Sequence, residues 1–307
     1  MSSSTTIATE GLTKHYGDVK AVVDLDLAIG AGEVFGFLGP NGSGKTTTIR
    51  TMLDLIRPTA GTASIMGLDS HRDAVEIRQH IGYVPGELAL YRNLTGKELI
   101  TYFANLRGGV DWSRVNLLAE RLDAVLDKKV GELSTGNRQK VALVQAFMSK
   151  PSVLVLDEPS IGLDPLVQQQ FQAIIREAAA EGGTVFLSSH TLSEVERVAS
   201  RVGIIRTGRL VVVETMEALK EKAVRTVTMQ FGQPVAEAAF AAIDEVRDAS
   251  VDGTQATVAV EGSMAQLLQL ASSLGVVDMS SNESDLEEIF LTYYRDEGER
   301  GEEGAAR

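Results

Sequence analysis

Cysteine is absent from the 307 residues of this chain, and its absence excludes several kinds of site. Structural disulfides, thiolate nucleophiles and cysteine-based zinc sites cannot form, which is compatible with a reducing cytosol. Long apolar runs are absent too, since no segment approaches the ~18 residues that a membrane-spanning helix needs. Residues 1–10 are rich in serine and threonine and lack the apolar segment of a secretory signal. We therefore expect a chain that does not cross a membrane by itself.

Lysine is missing from residues 225–307, where 5 arginines stand against 16 acidic residues. Residues 1–224 carry 24 basic and 26 acidic residues, so most of the formal charge of −13 lies in the C-terminal piece. This change in composition predicts two units. Because phosphate binding needs clustered lysine and arginine, no nucleic acid is expected as a partner, and the C-terminal piece would repel anionic lipid.

Four short apolar runs without alternation predict strands that are buried on both faces of a parallel sheet. They occupy residues 34–38, 153–156, 184–187 and 202–205. Helical patterns lie between them, for example at 46–56 and 167–180. Strands that alternate with helices predict an α/β fold with a mostly parallel sheet.

Two regions depart from this alternation. Residues 88–150 carry helical periodicity and predict a helical insertion, and one short helix is expected at 216–223. From residue 225 onward, alternating patterns predict strands, and helical patterns between them predict a small α+β unit. These strands are expected at 226–229 and 256–260 and the helices at 235–243 and 264–274. The predicted domains are residues 1–224, an accessory unit of 225–295 and an acidic tail of 296–307, which is expected to be disordered.

A glycine-rich segment follows the first buried strand and precedes a helical pattern. It reads GPNGSGKTT and matches G-x-x-x-x-G-K-[ST] in the context that this motif requires, which makes a chance glycine-rich turn the weaker interpretation. Glycines let backbone N–H groups turn inward around phosphate, and the helix N-terminus adds positive charge. Lys45 can reach the β and γ phosphates, and Thr46 can coordinate Mg²⁺. The expected ATP-binding residues of this segment are Gly39, Asn41, Gly42, Ser43, Gly44, Lys45, Thr46 and Thr47.

Two adjacent carboxylates end the second buried strand. Asp157 and Glu158 follow VLVL, and the C-terminal ends of strands face the crevice in which α/β sheets bind ligands. Asp157 can hold the Mg²⁺ shell, and Glu158 can polarise a water that attacks the γ-phosphate. By itself this pair could be a solvated strand end. Together with the glycine-rich segment it indicates a P-loop NTPase.

Four further segments narrow this prediction. Residues 133–140, LSTGNRQK, resemble the signature of ABC-transporter ATPases, and 160–165, SIGLDP, resemble their D-loop. His190 closes a strand as the switch histidine of that family does, and Tyr16 stands where the family places an adenine-stacking aromatic. The order and spacing match over roughly residues 5–220. This resemblance implies a RecA-like P-loop core with a helical subdomain at 88–150.

The resemblance also implies a mechanism that is divided between two chains. Ser134 and the Gly136 N–H would contact the γ-phosphate that a second ATPase subunit binds, so a dimer would enclose two Mg·ATP. We expect a homodimer, because this chain has both a base and a signature and two copies could therefore form two competent sites. The implied catalytic residues are Glu158, His190 and Lys45, and the metal ligands are Thr46 and Asp157. Taken alone, Tyr16 could be a half-buried surface aromatic and His190 a structural histidine.

Two departures from the family pattern affect this assignment. The family usually has a glutamine after residues 81–85, where this chain has Gly86 followed by Glu87. A glycine offers no side-chain ligand, so Glu87 is a candidate metal ligand in its place. Thr135 and Asn137 replace the usual glycine and glutamine of the signature, while Ser134 and Gly136 are kept.

The C-terminal piece narrows the expected function further. Residues 285–291, DLEEIFL, resemble a motif that ends many ATPases of ABC-2-type drug and antibiotic exporters, including daunorubicin-resistance-like ATPases, although a capped amphipathic helix would explain them as well. We expect an ATPase subunit at the cytoplasmic face of the cell membrane that powers export through a separate integral membrane permease. The alternatives are a soluble ABC ATPase that acts in translation or repair, and an ATPase regulated by a ligand-sensing C-terminal unit.

Overall fold

A computed structural model describes residues 5–222 and 224–281 of the chain. Its contacts divide the chain into two compact units, Met1–Val213 and Glu214–Arg307. The predicted domain limits, 1–224 and 225–295, remain a proposal. Residues 285–291 and 296–307, on which the C-terminal motif and the acidic tail were predicted, lie outside the described residues. Among the described residues, no helix is both long and apolar enough to span a membrane.

A six-stranded sheet forms the centre of the first unit, in the order β10-β9-β3-β8-β7-β6. Its inner strands β3, β8 and β7 pair in parallel, as do β9 with β3 and β6 with β7. Every residue of β3, β7 and β8 is buried, which explains why these strands are apolar without alternation. The predicted α/β fold is confirmed. The strands are β3 Val34–Leu38, β6 Ile81–Val84, β7 Val153–Asp157, β8 Thr184–Ser189, β9 Arg201–Arg206 and β10 Arg209–Thr215.

An antiparallel sheet in the order β2-β1-β4-β5 is the part of the first unit that the sequence analysis missed. Register shifts interrupt the pairing of β1 with β2, for example between Thr9 and Leu12. Such bulges break the period of two that identifies a half-buried strand in a sequence. The strands are β1 Thr5–Tyr16, β2 Val19–Gly30, β4 Ala60–Ile65 and β5 Leu68–Asp69.

Helix α1 (Lys45–Met52) packs between these two sheets. Its residues Ile49 and Met52 belong to one buried cluster with Leu25 of β2 and with Phe37 and Phe186 of the parallel sheet. The core therefore fixes the helix that begins directly after the glycine-rich loop.

The predicted helical insertion contains three helices, α3 (Gly96–Leu106), α4 (Trp112–Arg121) and α5 (Thr135–Phe147). A small core of Leu99, Val130, Leu133 and Val141 joins α3 to α5, and α4 packs against α5. The side chains of Thr95, Asp111 and Ser134 cap the three helix N-termini, which explains where these helices begin. The remaining helices of the first unit are α2 (Ala74–His80), α6 (Pro165–Ala180) and α7 (Leu192–Glu196), with a short 3₁₀ helix at Val130–Glu132.

The second unit is a four-stranded antiparallel sheet in the order β12-β13-β11-β14. Strict alternation along β11 places Val227, Met229 and Phe231 in the core of this unit. Because helices accompany the antiparallel strands, the predicted α+β character is confirmed. Its elements are α8 Met216–Lys222, β11 Val224–Phe231, β12 Val246–Asp252, β13 Gln255–Glu261, α9 Ala265–Ser273 and β14 Val276–Ser281.

The helix predicted at 235–243 is wrong. The structure has only a 3₁₀ helix at Glu237–Ala239, followed by turns in which Ile243 N–H bonds to Phe240 O. Phe240 and Ile243 are both buried, and their spacing of three residues suits such turns as well as it suits an α-helix.

Phe186 offers a test of the core. Its ring is fully buried and lies 5.2 Å from the Phe37 ring and 6.0 Å from the Phe35 ring, between centroids. Phe186→Ala is expected to lower the free energy of unfolding of the first unit by about 3–5 kcal/mol, because a cavity remains among rigid neighbours. Thermal unfolding measures this loss. Val75→Ala, at an exposed side chain, is the control and is expected to change stability by less than about 0.5 kcal/mol.

Candidate active site

The glycine-rich loop of residues 39–44 joins β3 to α1, and its conformation requires glycine. Gly44 has a φ of 109°, and a Cβ there would lie 2.4 Å from Ala21 O. A Cβ at Gly39 would lie 2.5 Å from Ile205 O. The backbone of neighbouring strands therefore closes around the loop, and no side chain fits at either position.

Backbone donors gather where this loop becomes a helix. The Thr48 N–H donates to Gly44 O (2.8 Å), which leaves the N–H groups of Lys45, Thr46 and Thr47 outside the hydrogen-bond ladder of α1. Ser43 Oγ is buried and has no hydrogen-bond partner in the part of the chain that the structure describes. Asn41 and Gly42 lie exposed at the tip of the loop. The arrangement can bind an anion such as a phosphate group.

Three ionisable side chains meet beside the loop. Lys45 is 5% exposed, and its Nζ lies 3.1 Å from Glu158 Oε1 while donating to Gly39 O (2.5 Å) and Pro40 O (3.1 Å). The other carboxylate oxygen of Glu158, Oε2, lies 2.7 Å from His190 Nδ1. The structure thus brings together the three side chains that were predicted to be catalytic. Glu158 adopts a left-handed backbone conformation with a φ of 49°. This conformation is energetically unfavourable for a residue other than glycine, and here it accompanies the contact of the Glu158 side chain with Lys45.

Asp157 forms a second cluster at the end of β7. It is fully buried; Thr46 Oγ1 donates to its Oδ2 (2.8 Å) and Ser188 Oγ donates to its Oδ1 (2.6 Å). Among the described residues it has no ion pair with a lysine or arginine, although burying an uncompensated carboxylate is costly. Two adjacent oxygen ligands with uncompensated negative charge fit a divalent cation such as Mg²⁺.

Ser188 and Tyr83 are neighbours of this cluster to which the sequence analysis gave no role. Ser188 Oγ, besides donating to Asp157, accepts the Glu158 N–H (3.1 Å), so one hydroxyl orients both acidic residues. Burial, and next the charge of Asp157, raise the pKa of Tyr83 to about 12, while Arg50 opposes this shift. The available sequence signal for Tyr83 was its place in the apolar segment of residues 81–85, directly before Gly86.

The structure separates the two residues that replace the usual glutamine. A Cβ on Gly86 would lie 3.0 Å from Asp157 Oδ2, so the backbone of this residue approaches the acidic cluster closely. Glu87 is exposed, and it makes no hydrogen bond or ion pair with any residue that the structure describes. No group of three or more histidine, aspartate or glutamate side chains within the described ranges could hold a metal ion.

The signature segment contacts the D-loop of its own chain. Ser134 caps α5 by accepting the Asn137 N–H at 3.2 Å. A Cβ on Gly136 would lie 2.3 Å from Gly162 O, and Gln139 Nε2 donates to Pro159 O (2.8 Å). Between residues 133–140 and 39–45, the described structure has no hydrogen bond or ion pair.

Tyr16 lies at the end of β1, where that strand turns into β2. Its side chain is 48% exposed, and Lys14 Nζ lies 5.0 Å from the ring centroid. Strand β2 then runs past the glycine-rich loop, since Ala21 O is the atom that a Cβ on Gly44 would meet. An exposed ring on this hairpin is free to stack against a planar ligand.

Gly136→Ala tests the contact between the signature and the D-loop. An alanine in an open helical position would gain up to about 1 kcal/mol over glycine. Here the added methyl group would collide with Gly162 O, so the substitution destabilises the protein instead. We expect the free energy of unfolding to fall by about 1–3 kcal/mol, which a lower melting temperature would show. Thr135→Ala, at the exposed neighbour, is the control. An unchanged or raised melting temperature for Gly136→Ala would contradict the contact.

Comparisons with known proteins agree with this geometry. A family model described as ABC transporter matches residues 22–161, and an AAA domain model matches residues 129–196. The bacitracin transport ATP-binding protein BcrA of Bacillus licheniformis is 38% identical over 225 residues, which cover 71% of this chain and 72% of BcrA. The daunorubicin resistance ATP-binding protein DrrA2 of Streptomyces coeruleorubidus is 36% identical over 219 residues, covering 70% and 68%.

A longer relative and two solved structures complete the comparison. The probable multidrug ABC transporter ATP-binding protein YbhF of Escherichia coli is 35% identical over 221 residues, and the match spans only 38% of its length. A solved ATP-binding subunit of an ABC transporter is 29% identical with a TM-score of 0.65, covering 70% of this chain and 92% of that one. The dimeric ABC transporter cassette MJ0796 shares the fold, with a TM-score of 0.64 at 24% identity over 68% of this chain and 98% of that one. The chain belongs to the ABC transporter family, among its ATP-binding proteins.

Proposed function

We propose that this chain hydrolyses ATP to drive export through a separate membrane permease. The observation that carries the proposal is the meeting of Lys45, Glu158 and His190 beside a phosphate-binding loop, with Asp157 and Thr46 next to them. A cation for the phosphates, a carboxylate base and a pair of oxygen ligands are the groups that phosphoryl transfer to water requires.

The loop residues and Tyr16 bind the nucleotide in this proposal. The N–H groups of the segment from Gly39 to Thr47 surround the β and γ phosphates, and Ser43 Oγ gains the partner that it lacks among the described residues. The ring of Tyr16 stacks on the adenine. Asn41 and Gly42, at the exposed tip, lie where they can close over the phosphates.

Thr46 and Asp157 are the residues that would hold Mg²⁺, which neutralises charge on the phosphate oxygens when it is bound. The buried carboxylate of Asp157 supports this assignment because it has no cationic side chain to pair with in the described structure. Ser188 keeps the carboxylate oriented through Oδ1, which leaves Oδ2 on the side of Thr46. Glu87 stays a weaker candidate ligand.

Glu158 is the proposed general base. Because Lys45 Nζ lies 3.1 Å from Glu158, a γ-phosphate held by Lys45 would lie next to that carboxylate and to a water that it orients. His190, at 2.7 Å from the other oxygen, positions the carboxylate and stabilises its charge. The strained left-handed backbone of Glu158 is consistent with this role, because such strain is common where a side chain must be held in a functional position.

Ser134 and Gly136 are proposed to act on the nucleotide of a second copy of the chain. Ser134 Oγ accepts hydrogen bonds from Asn137, so its own proton is available for a phosphate oxygen. The Gly136 N–H lies in the first turn of α5, where the helix dipole favours an anion. The lack of described contacts between this segment and residues 39–45 of the same chain supports a site that two chains share.

The permease is proposed to bind near residues 88–94, at the start of the helical insertion, which places the chain at the cytoplasmic face of the membrane. Tyr91 is 55% exposed, and its ring packs edge-on against Tyr102 at 5.5 Å between centroids. Leu88 and Leu90 of the same segment are half-buried. An exposed aromatic side chain beside partly exposed apolar ones suits a docking surface.

The exported compound is proposed to be a drug, an antibiotic or another hydrophobic molecule. The names of BcrA and DrrA2, a bacitracin transport protein and a daunorubicin resistance protein, support this class. No observation favours a role in translation or repair over export. The accessory unit of residues 225–295 is proposed as a separate domain outside the ATPase.

Glu158→Gln tests the hydrolytic mechanism. Loss of the base is expected to lower the ATPase rate by about 10²–10⁴-fold while ATP binding persists. The variant is then expected to accumulate as an ATP-bound dimer, measured by light scattering after size-exclusion chromatography. Glu120→Gln, at an exposed glutamate of α4, is the control and should keep the wild-type rate. A Glu158→Gln variant that remains monomeric with ATP would contradict the shared site.

Reconstitution tests the link to transport. The ATPase rate of the chain is expected to rise when it is incorporated into membranes with its cognate permease. Tyr91→Ala is expected to reduce this increase, because the exposed ring would contact the permease. Leu106→Ala, another exposed apolar side chain, is the control. Equal rates with and without the permease would contradict coupling through this surface.

A further inference from the structure

Four exposed cations lie close together in the helical insertion, in a chain whose formal charge is −13. Residues 92–97 and 126–131 run side by side, since Thr95 bridges Lys129, the Val130 N–H donates to Leu94 O (2.8 Å) and the Gly131 N–H donates to Arg92 O (2.9 Å). This pairing collects the cations into one surface, which we call the cationic patch. Its members are Arg92, Lys97, Lys128 and Lys129.

The cations of this patch are not neutralised by the chain itself. Elsewhere in the first unit, cations such as Arg121 and Lys140 form ion pairs, at 2.6 Å with Glu177 and 3.1 Å with Asp123. None of the four patch cations makes an ion pair with a residue in the described ranges, and Lys97 Nζ lies 5.9 Å from the ring centroid of Trp112. Charges left unpaired in this way are available to a partner.

Three carboxylates border the patch without cancelling it. Glu98 accepts hydrogen bonds from the Thr95 N–H (2.8 Å) and Oγ1 (3.0 Å), and these bonds hold its pKa below the usual range, with a smaller effect of the Lys129 charge. Asp127 and Glu132 are exposed, and the Glu132 N–H donates to Lys129 O (2.9 Å). Four cations against three anions leave a local excess of positive charge, and screening in 0.1 M salt limits electrostatic interactions to about 10 Å, so the nearby charges dominate.

We propose that the cationic patch binds the anionic headgroups of the lipid bilayer beside the permease. The inference rests on the proposed function, because Arg92 follows Tyr91 directly and Lys97 lines an open cleft of about 610 Å³ with Tyr102, so the patch borders the surface proposed to contact the permease. A chain held there lies near the membrane, where phosphate headgroups are the abundant anions. Each lysine or arginine near an anionic bilayer contributes about 1 kcal/mol, which is about a fivefold increase in binding.

Vesicle flotation tests this proposal, with the full chain and without the permease. We expect the chain to float with vesicles of phosphatidylglycerol and phosphatidylcholine but not with phosphatidylcholine alone, and high salt should release it. The net charge of −13 predicts repulsion from the anionic vesicles, so attraction can only come from a local cationic surface. Lys128→Gln with Lys129→Gln is expected to weaken binding about 25-fold, from two fivefold losses.

Arg176→Gln with Arg197→Gln is the matched control, because it removes the same charge from exposed positions outside the patch that likewise make no ion pair with any residue in the described ranges. Equal losses in both double variants, or no flotation of the wild-type chain, would overturn the proposal. Retention on immobilised polyglutamate without flotation would assign the patch to an acidic protein segment and also overturn it. The ATPase rate, measured separately, tells failure of lipid binding from failure of the proposed function.

Discussion

The Asp157 carboxylate is fully buried at the end of β7, and its two oxygens accept hydrogen bonds from Thr46 and Ser188. These bonds join the C-terminal ends of β7 and β8 to the first turn of α1. A buried carboxylate is tolerated only when its acceptors are satisfied, so the partners cannot move independently without cost. Lys45 directly precedes Thr46 and Glu158 directly follows Asp157, so the Thr46–Asp157 hydrogen bond also places these two side chains.

The backbone around this link allows very little change. The glycine-rich loop can pass Ala21 O and Ile205 O only because glycine stands at 44 and 39, and Gly136 meets Gly162 O in the same way. The first contact fixes the phosphate-binding loop against the core, and the second fixes the signature against the D-loop. In the described structure these two segments of one chain make no polar contact with each other, which is the physical basis for proposing that two chains complete each site.

The net charge of the chain does not describe the charge of its individual surfaces. The chain carries −13, yet residues 225–307 hold most of that imbalance. Composition alone led to the expectation that the C-terminal piece would repel anionic lipid, and this stays a prediction. The pairing of residues 92–97 with 126–131 creates a local surface of the opposite sign, and electrostatic interaction with a partner depends on charges within about a Debye length rather than on the total.

The sequence by itself determined the motifs, their order and the parallel strands, because a glycine-rich loop, an acidic pair and strands buried on both faces each require particular residues at particular spacings. It did not reveal the antiparallel sheet, whose bulges interrupt the alternation, and it placed a helix at 235–243 where three-residue spacing also suits turns. Only the tertiary structure decided that Ser188 orients both acidic residues and that Gly86 lies close to Asp157 while Glu87 is exposed without a described polar contact. It also decided that cations from two separate segments, 92–97 and 128–129, share one surface. These are relations between residues far apart in the chain, and they exist only after the backbone has folded.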